Sequence, residues 1–257
     1  MKFSIITPTF KRSSELARAV ASVKAQTYTD WEMVVINDSP TDESYSNFAG
    51  TLNDPRIRYF VNDRNRGVNF SRNFGLDHLG ADSKWVIFLD DDDTLAPDTL
   101  KYFYNLILLH GEQKWFMTNR ALKNGSPLTV GAEDENVYSY FWKYLFFKKI
   151  KGDATHCIET KLITQHHVRF LTYVKQAEEW FFFYQIGRHS RIFYGDHNST
   201  ITDGYDAQSG LNFRKRTFEE RYATLAKIFY EAAAKKIISA QFLLYMLLRS
   251  IKLLVGK

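Results

Sequence analysis

Four consecutive aspartates, Asp90–Asp93, directly follow the apolar run WVIFL at residues 85–89. Neighbouring carboxylates disfavour each other's charge, so an acidic cluster at the end of a strand needs a positive partner. Carboxylate oxygens are the hard ligands that Mg²⁺ and Mn²⁺ prefer, and such a cation can bridge them to substrate phosphates. The cluster predicts a site for a divalent metal and a phosphate group. The alternative is a solvated acidic turn.

The last aspartate has a further explanation of its own. Asp93 or Thr94 precedes the segment TLAPDTL at the position of a helix N-cap, where a side-chain oxygen accepts from free backbone N–H groups. In an extended chain Asp90 and Asp92 point to one side, and Asp91 and Asp93 point to the other. We expect Asp93 to be an acid at a helix start, and the other three aspartates to serve the ligand site.

Short apolar segments alternate with segments of helical spacing over the first hundred residues. The apolar segments lie at 3–7, 31–36, 57–60 and 85–89. After the first of them, apolar residues recur at helical spacing, at Leu16, Ala19, Val20 and Val23. Strands separated by helical crossovers form a mostly parallel sheet with helices on both faces. We predict an α/β fold of this kind.

Each predicted strand ends in a polar loop. The loops read TPTFKR, NDSPTD, NDRNRG and DDDD. Ligands bind such sheets at the carboxyl ends of the strands, so the four loops should converge on one site. The first loop contains no glycine, which argues against a dinucleotide-binding GxGxxG turn, and no P-loop is present. A cation held by carboxylates is the other way to hold a polyphosphate.

Four blocks of sequence occur in the order and spacing of one enzyme family. They are SIITPTFKR, QTYTDWEMVVINDSPTD, NRGVNFSRNFGL and WVIFLDDDDTL, over residues 3–100. These blocks resemble the signature blocks of family 2 glycosyltransferases, which are GT-A fold enzymes that take sugars from nucleotide-sugar donors. The resemblance implies a Rossmann-like fold, in which a mostly parallel central sheet is flanked by helices. The sequence after FRKRTFEER is helical and basic, which predicts a C-terminal helical extension.

The resemblance also implies how the chain is divided. Residues 1–213 would form the GT-A catalytic domain, with a nucleotide-binding half at 1–100 and an acceptor-binding half at 101–213. Residues 214–257 would form a basic, amphipathic helical tail. Within the second half, apolar runs predict further elements at 114–119, 175–187 and 191–195.

Site residues follow from the resemblance, position by position. Eight residues are implied to bind the nucleotide sugar: Pro8, Thr9, Phe10, Asp38, Arg66, Arg72, Asp90 and Asp91. Asp92 is implied to be the direct ligand of Mn²⁺ or Mg²⁺, and His197 is a second candidate ligand. Asp38 would contact the base, typically uracil, so a UDP-linked hexose or N-acetylhexosamine is the favoured donor.

An acidic pair, Glu178 and Glu179, opens the apolar segment WFFFYQIG. Taken alone, the pair is typical of first-turn acids that the positive end of a helix stabilises. The resemblance implies instead that Glu179 is the catalytic base and that Glu178 orients or binds the acceptor. In an inverting transfer the base takes the proton of the acceptor hydroxyl as it attacks the anomeric carbon. A metal-dependent, inverting transferase that adds a single sugar is the leading hypothesis.

Two other functions stay open. A catalytically silent scaffold that binds sugar nucleotides would have no need of the intact Asp90–Asp93 and Glu179. A nucleotidyltransferase also places acids at strand ends, but its first loop is usually glycine-rich and basic, unlike TPTFKR.

The positive charge of the chain is concentrated at its C-terminal end. From Arg214 onward there are ten basic and three acidic residues, whereas the whole chain has a net charge of +5. This distribution argues against a nucleic-acid partner. The run from Ile237 to Leu248 is nearly all apolar and too short to span a bilayer. Either residues 232–257 lie on an anionic membrane surface, or this helix packs on the catalytic domain or on a homodimer partner.

The single cysteine, Cys157, favours a reducing compartment, because it has no partner for an internal disulfide. We expect a cytoplasmic protein, with peripheral binding at the inner face of the cytoplasmic membrane if the tail docks there. The resemblance implies a saccharide or lipid-linked saccharide acceptor, used in the assembly of bacterial surface polysaccharide or lipopolysaccharide.

Overall fold

A computed structural model describes residues 1–46, 48–172, 178–202 and 217–255. The strands are β1 (Lys2–Thr9), β2 (Trp31–Asn37), β3 (Ile57–Val61), β4 (Ser83–Phe88), β5 (Thr94–Leu95), β6 (Trp115–Leu122), β7 (Asn136–Tyr138), β8 (Ala154–Glu159) and β9 (Ile192–Thr202). The α-helices are α1 (Ser13–Lys24), α2 (Phe48–Thr51), α3 (Val68–Asp77), α4 (Thr99–Leu109), α5 (Thr160–Gln165), α6 (Glu179–Gly187), α7 (Phe218–Ala234) and α8 (Ala240–Val255). A 3₁₀ turn spans Glu43–Tyr45, and a π-helix spans Tyr140–Phe146.

All nine strands belong to one sheet, in the order β3-β2-β1-β4-β8-β6-β9-β5, with β7 also paired to β9. The first four strands in this order run parallel, as predicted. Strand β8 is antiparallel to both β4 and β6, and joins the two halves of the chain in one sheet. Since β1, β2 and β4 are parallel, their carboxyl ends lie at the same edge.

Helices cover both faces of the parallel half. The predicted face of α1 is buried, at Leu16, Ala19, Val20 and Val23. These side chains share a core cluster with Met33 and Val35 of β2, whereas Val34 and Ile36 belong to the cluster on the other face. Successive strand residues point to opposite faces, so a strand buried on both sides is apolar throughout.

The helix after the four aspartates begins later than predicted. Thr94 and Leu95 form β5, which pairs antiparallel with Ile201 and Thr200 of β9, and α4 starts only at Thr99. The prediction that Asp93 is a helix-start acid is wrong, because pairing with β9 draws the following residues into the sheet.

The C-terminal tail consists of the two helices α7 and α8. A capping box between Thr217 and Glu220 starts α7, and α8 buries Phe242 and Met246. No helix in the described ranges is both long and apolar enough to cross a membrane. The predicted boundary between residues 213 and 214 lies outside the described residues.

Candidate functional site

The predicted polar loops meet at the carboxyl edge of the parallel strands. The Phe10 backbone N–H, just after β1, donates to Asp91 Oδ2 at 3.3 Å. Pro8 and Thr9 are buried, whereas the Phe10 side chain is exposed. The Thr9 hydroxyl contacts the Tyr45 hydroxyl at 2.5 Å, which connects this loop to the turn that follows β2. Phe10 leaves an aromatic surface open at the edge of the sheet.

Asp38 organises the loop that follows β3. Its buried carboxylate accepts from Asn62 Nδ2 at 2.7 Å, and from the backbone N–H groups of Arg66 at 2.8 Å and Gly67 at 2.7 Å. Gly67 has a φ of +87°, a conformation that favours glycine. The guanidinium of Arg66 lies over the Phe70 ring, 3.8 Å from its centroid. Asp38 thereby holds Arg66 near the site.

Three arginines pair with the four aspartates. Arg72 Nη2 donates to Asp90 Oδ1 at 2.8 Å. Arg12 Nη1 donates to Asp92 Oδ2 at 2.5 Å and contacts Asp91 Oδ1 at 3.3 Å. Arg120 Nη2, from β6, donates to Asp93 Oδ1 at 2.9 Å. These arginines explain how the protein itself tolerates the cluster of acids.

A turn over residues 90–93 sorts the four carboxylates. The Asp93 backbone N–H donates to the Asp90 carbonyl at 3.2 Å, which turns the chain back on itself. As a result, carboxylate oxygens of Asp90, Asp92 and Asp93 lie within 4.8 Å of one another, whereas Asp91 faces Phe10. Three hard oxygen donors at this separation fit a divalent cation.

Burial and charge give these carboxyls different acidities. Burial raises the pKa of Asp93 to about 7, although the charge of Arg120 acts to lower it. Burial also raises the pKa of Asp91 to about 6. Burial would also raise the pKa of Asp90, but the charges of Arg72 and Arg120 outweigh it and hold the pKa below its usual value. Asp90 is therefore the most firmly ionised of these three acids.

The acidic pair is brought to the same site by Arg72 of α3. Its Nη1 donates to Glu179 Oε1 at 2.6 Å, while Nη2 binds Asp90. The Arg72 side chain is buried, which by itself lowers its pKa, but the charges of Glu179 and Asp90 raise the pKa above the ordinary value. Glu179 is the first residue of α6, and its side chain is 44% exposed.

Glu178 points to a different set of partners. Its side chain is 7% exposed, and its Oε2 accepts from Trp180 Nε1 at 2.6 Å and from Arg249 Nη1 of α8 at 3.1 Å. The two adjacent glutamates are therefore held by arginines from different parts of the chain.

His197 does not join the acid cluster. Its Nδ1 contacts Ser199 Oγ at 2.8 Å, and its Nε2 contacts Asp98 Oδ1 at 3.2 Å. The imidazole stacks on the Tyr102 ring at 4.3 Å. Across the described ranges, the group of possible metal ligands at this edge is Asp90, Asp92 and Asp93.

Sequence reasoning missed Arg12, Arg120 and Arg249. Arg12 was within reach, because it belongs to the loop TPTFKR, whose position at the strand edge was predicted. Arg120 and Arg249 carry no local signal, since their partners lie 27 and 71 residues away in the sequence.

Known proteins share this sequence pattern and fold. The model of Glycosyl transferase family 2 matches residues 4–164. A putative colanic acid biosynthesis glycosyl transferase, WcaA, of Escherichia coli is 37% identical over 111 residues, which are 43% of this chain and 38% of that protein. A Campylobacter jejuni GalNAc(5)-diNAcBac-PP-undecaprenol beta-1,3-glucosyltransferase is 39% identical over 101 residues, which are 38% of this chain and 32% of that protein. The chain thus spans about a third of the length of these relatives.

Solved structures resemble a larger part of the chain. S. aureus TarS 1–349 in complex with UDP-GlcNAc has a TM-score of 0.67 at 20% identity, covering 95% of this chain and 72% of that one. A mannosyltransferase from Pyrobaculum calidifontis in complex with GDP-Man and Mn²⁺ has a TM-score of 0.64 at 17% identity, covering 98% of this chain and 69% of that one. These likenesses show the fold.

Proposed function

Because the chain belongs to glycosyl transferase family 2, we propose that it moves one sugar from a nucleotide-diphosphate sugar to a hydroxyl group of a saccharide acceptor, with inversion. The observation that carries the proposal is the chain of contacts Asp90–Arg72–Glu179. These contacts support the proposal, because one guanidinium joins Asp90 of the donor side to the proposed base, at the edge where ligands bind such sheets.

The donor side is formed by the loops after β1, β2, β3 and β4, together with α3. In this proposal Phe10 and Thr9 line the pocket for the nucleobase and the ribose, and Asp38 contacts the nucleobase. Arg66 and Arg72 face the diphosphate of the nucleotide. A UDP-linked hexose or N-acetylhexosamine is the favoured donor. The likeness to TarS, which was solved with UDP-GlcNAc, supports this choice.

A divalent cation belongs to the proposed site. Asp90, Asp92 and Asp93 would hold Mn²⁺ or Mg²⁺, and the structure supports Asp93 in this set in place of His197. When bound, the cation acts as a Lewis acid on the departing diphosphate. Arg12 pairs with Asp92, so the ion and Arg12 compete for the same carboxylate. The Mn²⁺-bound structure of similar fold is consistent with such a site.

The chain's own residues supply the proton transfer. Arg72 donates to Oε1 of Glu179, which leaves Oε2 as the oxygen we assign to take the proton of the acceptor hydroxyl. Glu179 is the first residue of α6, and its side chain is 44% exposed, so an acceptor hydroxyl can reach it. Glu178 would orient the acceptor side of the site through its contacts with Trp180 and Arg249.

The proposed acceptor is a saccharide or a lipid-linked saccharide of bacterial surface polysaccharide or lipopolysaccharide assembly. The two curated relatives support this class, since one is named for colanic acid biosynthesis and the other for an undecaprenol-linked acceptor.

The outward face of α8 would dock on the membrane that carries such an acceptor. Seven apolar side chains of α8 are exposed: Leu243, Leu244, Leu247, Leu248, Ile251, Leu254 and Val255. Lys236, which precedes α8, and Lys252 of α8 are exposed, and the sequence has no acid after Glu231. An apolar face with basic neighbours complements the anionic cytoplasmic leaflet.

Co-sedimentation with vesicles tests the docking surface. The wild-type chain should pellet with phosphatidylglycerol vesicles and not with phosphatidylcholine vesicles, and Leu247→Glu with Leu254→Glu should abolish the binding. If the variant pellets as the wild type does, the surface is wrongly assigned. If the wild type binds neither vesicle and forms a dimer that the double variant dissociates, the face is a homodimer interface.

Thermal shifts test the proposed activity. UDP, GDP, dTDP and NAD are compared with and without Mn²⁺, and one nucleoside diphosphate should stabilise the protein only with the metal. Asp92→Asn should abolish that shift, whereas Asp82→Asn, at an exposed aspartate just before β4, should retain it. Stabilisation by NAD, or metal-dependent binding that survives in Asp92→Asn, would contradict the proposal. Binding of the sugar nucleotide without any transfer would favour the silent scaffold.

A further inference from the structure

The C-terminal helix α8 reaches back to the start of α6. Arg249 Nη1 donates to Glu178 Oε2 at 3.1 Å, and its guanidinium lies 5.2 Å from the centroid of the Trp180 ring and 5.9 Å from that of Tyr245. Tyr245 in turn packs on Trp180 with centroids 4.9 Å apart. The tail helix therefore contacts the residues on either side of Glu179.

The contact with Arg249 stabilises the carboxylate of Glu178, which is buried. A carboxylate with little exposure to water is costly unless it is paired and hydrogen-bonded. Trp180 Nε1 supplies one hydrogen bond to Oε2, and Arg249 supplies both a second one and the opposite charge. Removing either partner would alter the position of Glu178.

We propose that Arg249 is a positioning residue for sugar transfer, an inference that rests on the proposed function. Glu178 is the N-cap residue of α6 and Glu179 is the first residue of that helix, so their backbones move together. Arg72 holds Glu179 from the side of α3, and Arg249 holds Glu178 from the side of α8. The two arginines fix the first turn of α6 from two directions, so the tail completes the catalytic site.

The position of a proton-accepting oxygen strongly affects the rate. A displacement on the order of 1 Å can cost about a hundredfold in rate even when the mutated residue is far from the chemistry. Within the described ranges, the hydrogen-bond and ring partners of Arg249 are Glu178, Trp180 and Tyr245, and none of these is a donor-side acid. Its loss should therefore slow the transfer step and leave nucleotide binding intact.

Steady-state kinetics and nucleotide titration of Arg249→Met test the inference. We expect kcat to fall by roughly 10- to 100-fold, while the Kd for the metal–nucleotide complex stays within about twofold of wild type. Arg249→Lys should recover part of kcat, because an ammonium group restores the charge but not the planar stacking. Arg221→Met, at an exposed arginine of the neighbouring helix α7, removes the same charge and should leave kcat unchanged.

Three outcomes overturn the inference. The first is a kcat of Arg249→Met equal to that of Arg221→Met, and the second is a parallel loss of nucleotide binding, which indicates general unfolding. The third comes from the Glu178→Gln background, in which Arg249→Met should cause no further loss of kcat; a fully additive loss shows that Arg249 does not act through Glu178.

Hydrogen exchange separates this inference from the proposed function. Amides in the first turn of α6 should exchange faster in Arg249→Met than in Arg221→Met. If the wild type transfers no sugar but this difference is seen, the proposed function fails while the positioning contact stands. If the wild type is active and exchange in α6 is unchanged, the positioning role fails alone.

Discussion

Arg72 joins the ends of two elements that lie far apart in the sequence. Its guanidinium donates to Asp90 Oδ1 at 2.8 Å, just after β4, and to Glu179 Oε1 at 2.6 Å, at the start of α6. Glu179 lies 107 residues after Arg72. A planar guanidinium can serve two acceptors in fixed directions, so this one side chain sets the relative position of the acidic cluster and the acidic pair.

Replacing Arg72 by lysine should separate these two acids. Lysine keeps the charge, but its ammonium group is compact and does not reproduce the fork of donors. We expect kcat/KM to fall by at least about tenfold, and the free energy of unfolding to fall by about 1–3 kcal/mol. Urea unfolding and kinetics measure both. Arg191→Lys, at an exposed arginine just before β9, is the matched control and should change neither.

Replacing Glu179 by glutamine should separate binding from transfer. Glutamine retains an oxygen that accepts from Arg72 but cannot take a proton at neutral pH. We expect kcat to fall by about 10²- to 10⁴-fold, with metal-dependent nucleotide binding unchanged. Glu159→Gln, on β8, is the control for the loss of a carboxylate. Transfer at the wild-type rate in Glu179→Gln would show that the base is another group.

Gly75 allows α3 to approach the sheet that it covers. A Cβ at this position would lie 2.5 Å from Ile6 Cγ2 and 3.1 Å from Ile36 Cδ1, and both isoleucines are fully buried. Gly75→Ala should lower the free energy of unfolding by about 1–3 kcal/mol through overpacking. It should also reduce activity, because α3 carries Arg72.

The control for this variant is Gly111→Ala. A Cβ there would meet only the Ile107 carbonyl oxygen, at 3.7 Å, which is ordinary contact. Its unfolding free energy should stay within about 0.5 kcal/mol of wild type in denaturant unfolding. Equal effects of the two substitutions would mean that close packing at Gly75 is not required.

His156 should make the protein less stable in acid. Burial lowers the pKa of its imidazole to about 3, and its Nδ1 accepts from Trp115 Nε1 at 3.1 Å. The unfolded chain has a histidine pKa near 6.5, so between about pH 6.5 and 3 the unfolded state binds the proton and the folded state does not. Stability should therefore fall with decreasing pH, by up to about 1.4 kcal/mol per pH unit from this residue.

Denaturant unfolding at several pH values between 7.5 and 4.5 measures this dependence. His156→Gln retains an acceptor for Trp115 but cannot be protonated in this range, so its stability should depend less steeply on pH. His167→Gln, at an exposed histidine, should keep the wild-type slope. An unchanged slope in His156→Gln would contradict the assignment.

Local patterns predicted the parallel half of the sheet. The strands β1 to β4, the buried face of α1 and the meeting of polar loops at one edge all follow from apolar periodicity. Strand β8 was not predicted, although it joins the two halves of the sheet. Its sequence, ATHCIE, mixes apolar and polar residues, and it becomes a strand because β4 and β6 pair with it on either side.

Whether a contact within the site could be predicted depended on how far apart the two residues lie in the sequence. The convergence of the acidic loop and the loop TPTFKR was predictable, because parallel strands share an edge. The position of Asp93 beside Asp90 and Asp92 was not predictable. It depends on the turn from Asp90 to Asp93 and on the pairing of Thr94 with β9. The resemblance implies His197 as a metal ligand, whereas its neighbours in the structure are Asp98 and Ser199.

The sequence by itself determined the residue types at the sheet edge, the parallel strands that carry them and the family to which they point. These features depend on periodicity and on short motifs, which act over a few residues. Only the tertiary structure decided which charge meets which: Arg72 with Glu179, Arg120 with Asp93, and Arg249 with Glu178. Such pairs form because buried charges require partners, and packing of distant elements selects the partner.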